Sequence, residues 1–199
     1  MQKEAKELAI NRAIDKLKEK DIRVHLANLS FKIENDKRLH FRYFDKIVEF
    51  DLDNLELINQ DGVEISLNEK VLFYHFILND RIPVNTDKQI SFRELPAGQF
   101  YDKPFQERSV NILSSKIGND IDRLVKNLDA FFEWGRVPMA DFGAKITIIQ
   151  DVYIILVYYL GDEEFASSAQ VLFDESIKHI FSAEDVVVLT SLVCFKLIG

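Results

Sequence analysis

Residues 145–165 read KITIIQDVYIILVYYLGDEEF, the most apolar stretch of the chain followed by the charged turn that ends it. The spacing predicts two buried strands, at about 145–150 and 152–160. The second, Val152–Leu160, falls well short of the roughly 20 apolar residues a membrane helix needs. The turn Gly161-Asp162-Glu163-Glu164-Phe165 then leads into Val171-Leu172-Phe173-Asp174. A second polar turn, Arg93-Glu94-Leu95-Pro96-Ala97-Gly98, closes a short strand predicted over Gln89–Leu95. Carboxylates crowded beside a core must be solvated, paired or bound to a cation. Two like charges about 4 Å apart repel by roughly 4 kcal/mol at an effective dielectric of 20. Asp162, Glu163 and Glu164 therefore splay into water or cap the following turn unless a counter-charge arrives from elsewhere.

Outward from these turns the pattern is mixed. Residues 3–20 place Ala5, Ala9, Ile10, Ala13, Ile14 and Leu17 on one side of an amphipathic helix, and 21–29 continue as a short helix. Between Ser30 and Ser66, Phe31/Ile33, Leu39/Phe41/Tyr43 and Ile47/Val48/Phe50/Leu52 are strand-like. Asn35-Asp36 and Asp45-Lys46 separate them, and Asp61-Gly62 supplies a hairpin turn before Val63-Glu64-Ile65, so an antiparallel meander is expected. Ser66 with Glu69 has capping-box spacing and opens a helix to about Leu78. A helix starting near Pro104 and ending at Gly118 follows, then another at about 120–132. The last helix is capped by Ser182 with Asp185 three residues on. The expectation is α+β: a single domain over 1–199, with antiparallel sheet packed against several helices.

Composition narrows the function classes. The chain has 199 residues, 47% of them hydrophobic and 16 of them Phe, which is enough for a sizeable core. The net charge of −8 is uneven: residues 1–23 hold seven basic and five acidic side chains, residues 137–199 three and nine. A surface of that sign repels phosphates and argues against nucleic acid or anionic membrane as partner. One cysteine, Cys194, forbids an internal disulfide and any multi-thiolate cluster, and its apolar neighbours predict a small buried hydrophobe. The charged N-terminus lacks a signal-peptide core, so a cytoplasmic location is expected. His25, His40, His75 and His179 show no metal-ligand spacing, so no metal is expected, and no nucleophile elbow or phosphate loop is present. Phe131, Phe132 and Trp134 are expected to cover a sheet edge.

The candidate ligand-binding set is Arg93, Glu94, Tyr101, Arg108, Asp162, Glu163, Glu164 and Asp174. In it Glu94 pairs with Arg108, or Arg93 with Asp162 or Asp174, across two converging turns. A small-molecule or protein partner fits that set, and no cofactor or catalytic residue is specified by it. An enzyme with Glu94 or Glu164 as a general base of raised pKa is the alternative. A structural subunit docking through its first helix is a third reading.

FRELPAGQFY at 92–101, Phe105 with Arg108, GDEEF with SSAQVLFDESI at 161–177, and EDVVVL at 184–189 together resemble the domain-of-unknown-function family numbered 3786. The likeness runs from roughly residue 20 onward. Two features differ: Tyr159 stands where the family often has Trp, and Asp141-Phe142-Gly143 replaces an expected Gly-Asp pair. The resemblance implies an accessory or binding domain of anaerobic metabolism, in the setting of corrinoid, tetrapyrrole or one-carbon systems. Some members carry a cysteine-rich iron–sulfur module, whose ligands the single Cys194 cannot supply.

Overall fold

The structure is a computed structural model that describes residues 2–33, 37–59 and 64–199. The chain divides into two compact units, residues 1–84 and 85–199. Each combines helices with antiparallel strands, the α+β class expected from the pattern.

In the first unit, α1 (Gln2–Lys18) buries Ala13 and Leu17 and packs on α3 (Leu67–Ile77). The short helix α2 (Ile22–Asn28) is capped by Asp21, whose carboxylate accepts from the Arg23 and Val24 N–H groups. The meander comprises β1 (Arg38–Tyr43), β2 (Lys46–Asp51) and β3 (Glu56–Asn59), with Phe41 opposite Val48 and Phe50 opposite Leu57. Residues 31–33 form no strand, because Phe31 turns inward against Phe41 and Phe76 instead of joining a ladder. The turns expected at Asn35-Asp36 and Asp61-Gly62 lie outside the described residues, and Glu64–Ser66 are not in a strand. Ser66 and Glu69 form the expected capping box of α3. Glu69 also pairs with Lys46 at 2.9 Å, both side chains nearly buried, which ties β2 to the helix. Burial pushes the Glu69 carboxyl up, but Lys46 and Ser66 outweigh it and hold it below its ordinary value.

The second unit carries β4 (Gln89–Ser91), β5 (Trp134–Arg136), β6 (Phe142–Ile149), β7 (Val152–Tyr159) and β8 (Ser168–Asp174). They run antiparallel in the order β6-β7-β8-β4, with β5 also on β6. The helices are α4 (Gly98–Phe105), α5 (Asn111–Ile117), α6 (Ile121–Phe131) and α7 (Ala183–Ile198). Because both faces of β7 are covered, it reads as one unbroken apolar run. Helices lie on the face of Ile154 and Phe173, where Phe105 stacks on Phe92 with centroids 4.1 Å apart. On the other face Tyr153, Ile155 and Val157 are roofed by Val137, Met139 and Leu172.

Two boundaries differ from the expectation. The strand predicted over Gln89–Leu95 stops at Ser91 and becomes a 3₁₀ turn, Phe92–Glu94, because Glu94 bonds back to the Ser91 N–H and hydroxyl. The helix predicted from Pro104 begins six residues earlier, at Gly98, and Pro104 lies inside it. Its missing N–H breaks the ladder, and Gln106–Val110 continue as a π turn before α5.

Candidate functional site

Pro96 and Ala97 occupy the corners of a turn closed by the Gly98 N–H on the Leu95 carbonyl at 2.8 Å. Ala97 takes the left-handed position, φ 61° and ψ 0°, that a type II turn normally gives to glycine. The glycine sits one place later because a Cβ at 98 would collide with the Phe92 carbonyl oxygen. This turn holds one wall of a cleft of about 430 Å³, formed by Pro96, Ala97 and Tyr101. The opposite wall is Lys178, Phe181 and Glu184 at the entry to α7. Ser182 fixes that entry by accepting from the Asp185 N–H, with Asp185 returning to the Ser182 N–H.

The charge of Lys178 is shared with neighbours outside the lining. Glu175 binds Lys88 at 2.9 Å and Lys178 at 3.0 Å, and these two ammonium groups hold its carboxyl below the ordinary range. The Ser91 hydrogen bonds, followed by the charges of Lys178 and Lys88, hold Glu94 low as well. Lys178 thus belongs to a neutralised cluster and still borders the cleft, whose other surfaces are mainly apolar.

The acidic bend is built differently. Asp162 accepts from the Glu164 and Phe165 N–H groups at 2.9 and 2.8 Å, and those bonds hold its carboxyl below its ordinary value. Gly161 is gripped by Asn119, which donates to its carbonyl and accepts its N–H at 2.9 and 2.8 Å. A Cβ there would stand 2.6 Å from the Ser167 nitrogen, so the bend closes only on glycine. Glu163 and Glu164 are exposed. Asp174, only 4% exposed, accepts from the Thr86 N–H and hydroxyl and from the Ser176 N–H. Burial pushes its carboxyl up, and these donors pull it below the ordinary range.

The eight candidate residues therefore fall into separate groups. Glu94 and Tyr101 belong to the turn and cleft. Arg93 pairs with Asp102 at 3.7 Å, not with Asp162 or Asp174, and Glu94 bonds Ser91, not Arg108. Arg108 is exposed on the π turn itself. Asp174 and the acidic bend lie at opposite ends of β8, about 20 Å apart at the rise of a strand. Lys178, Phe181, Asn119 and Thr86 carried no motif that would single them out, and Glu184 stood only at the head of the EDVVVL stretch. Ser91 did: its spacing to Glu94 is that of a capping box.

Cys194 is buried in α7, and desolvation pushes its thiol up to about 12. Trp134 and Phe132 lie by the β5–β6 edge, with the indole N–H on Asp129 at 2.9 Å. Among the described residues no three His, Cys, Asp or Glu side chains are grouped to hold a metal. Nor is any helix among them long and apolar enough to cross a membrane.

The family model described as Domain of unknown function (DUF3786) matches residues 21–196. The chain is a member of DUF3786. The matched stretch begins after α1 and includes the cleft, the acidic bend and nearly all of α7. No curated protein and no solved structure matches this DUF3786 chain.

Proposed function

We propose that this DUF3786 protein is a non-enzymatic ligand-binding or accessory domain, and that its ligand enters the cleft between Tyr101 and Phe181. The observation that carries the reading is the cleft: about 430 Å³, apolar along Pro96, Ala97 and Phe181, with Lys178 and Glu184 at its edge. That volume lies in the lower part of the range typical of small-molecule sites, which run from roughly 300 to 1,000 Å³. The ligand is a small molecule with an apolar body and one polar end, a carboxylate or hydroxyl, directed at Lys178. The electrostatics favour binding over acid–base chemistry. Glu94, the nearest candidate base, lies below its ordinary pKa, whereas a general base at neutral pH needs a raised one.

The cytoplasmic, anaerobic and corrinoid or tetrapyrrole setting belongs to this proposal and rests on the family resemblance alone. A macrocycle of that kind is larger than the cleft and would insert an edge or a side-chain substituent only.

Thermal denaturation of the full chain with aromatic and branched-chain carboxylic acids, and with corrinoids, tests the reading. A ligand at 100 times its Kd stabilises by about 2.7 kcal/mol, which is several degrees in Tm for a chain of this size. Lys178→Met should abolish the shift for carboxylates while leaving the unliganded Tm within a degree or two. No shift with any compound, or shifts indifferent to Lys178→Met, would remove the cleft as the site.

A further inference from the structure

A second cleft, of about 270 Å³ and strongly polar, opens at the β6–β7 hairpin, away from the residues just discussed. Its floor is Lys145, Thr147 and Tyr153 on one face of the hairpin, where Thr147 stands opposite Tyr153. Glu133 stands beside them because its carbonyl accepts the Thr147 N–H at 2.9 Å. The hairpin turn contributes Gln150 and Asp151, and Asn85 reaches over to donate to the Asp151 carbonyl at 3.3 Å.

Three features distinguish this cleft. Lys145, Glu133 and Asp151 line it together, yet among the described residues they form no ion pair with one another or with any other side chain. Elsewhere in the unit, Glu94, Asp162, Asp174, Glu175 and Asp185 are all bound by backbone N–H groups or lysines. Second, the Lys145 ammonium lies 3.8 Å over the Tyr153 ring centroid, a cation–π contact between two residues that both line the cleft. Third, Gln150 holds φ 49° in a two-residue hairpin loop, a position that normally goes to glycine or asparagine.

We infer that this cleft is a binding site for a small zwitterion of amino-acid size. The Lys145 ammonium and the Glu133 and Asp151 carboxylates, all at exposed positions, offer a ligand a group of each sign. A ligand carboxylate meets Lys145, the Thr147 hydroxyl and the Gln150 amide. A ligand ammonium meets Glu133, Asp151 and the Asn85 side-chain carbonyl. The volume admits a free amino acid and not a nucleotide.

The test is an NMR titration of the ¹⁵N-labelled full chain with each proteinogenic amino acid in turn, and separately with acetate and with methylammonium. For at least one amino acid, saturable shifts are expected at the amides of Lys145, Thr147, Gln150 and Asp151, with a Kd below about 1 mM. Lys145→Met and Asp151→Asn, both at exposed positions, should each weaken that response by about tenfold or more. Ala183→Phe, which fills the other cleft, should leave it unchanged. The inference fails if no amino acid gives a saturable shift there. It fails equally if acetate or methylammonium alone does as well, or if both exposed variants respond like the parent chain.

Discussion

Asp174 holds three segments with one carboxylate: its own strand, the loop at Thr86, and the 3₁₀ turn opened by the Ser176 N–H. With 4% exposure and donors on every side, it is ionised in the folded chain. Its folded pKa lies below the unfolded value, so its contribution is fully present above about pH 4 and is lost as pH falls through the folded pKa. Asp174→Asn should cost about 2 kcal/mol at pH 7 by urea denaturation, with a deficit that shrinks on acidification below pH 4. Gly98→Ala is the sharper backbone test. A methyl driven into the Phe92 carbonyl must open the turn, and a loss of about 2–4 kcal/mol is expected. Cys194, with its thiol pushed up to about 12, should resist iodoacetamide at pH 8 in the native chain and react fully in urea.

Among the elements, α7 depends on Ser182 for its entry, and the same residue borders the first cleft. Ser182→Ala should cost about 1 kcal/mol. The Lys46–Glu69 pair behaves differently: Lys46→Met strands a buried carboxylate and should cost about 3 kcal/mol, part of which Lys46→Met with Glu69→Leu recovers. Elements whose signals are local were legible in the sequence. Ser66 with Glu69 and Ser182 with Asp185 announce α3 and α7, and the long apolar runs announce β6 and β7. Elements set by competition were not. Alternation of Ile90, Phe92 and Glu94 reads as a strand, but the Glu94 back-bond to Ser91 ends the ladder after three residues. Pro104 reads as a helix start, but the chain absorbs it within a helix by a π turn. β5 and β8 carry too little pattern of their own and exist because β6 and β7 offer them an edge. Half of the cleft was legible for the same reason: the Arg93–Tyr101 turn has a motif, while Lys178, Phe181 and Glu184 reach it only through the pairing of β4 with β8.

At the scale of the whole molecule, the −8 charge is concentrated toward the C-terminal third, and much of that unit's acidity is bound internally by N–H groups or lysines. The mainly apolar cleft beside Lys178 lies within the residues that define membership of DUF3786. Native mass spectrometry of the full chain, purified without oxygen, measures occupancy of that cleft directly. The expected spectrum shows a bound small molecule on the parent protein and none on Ala183→Phe, a variant that fills the cleft at the first residue of α7. An adduct that persists unchanged in Ala183→Phe, or a parent protein that binds nothing from its host extract, would contradict the account.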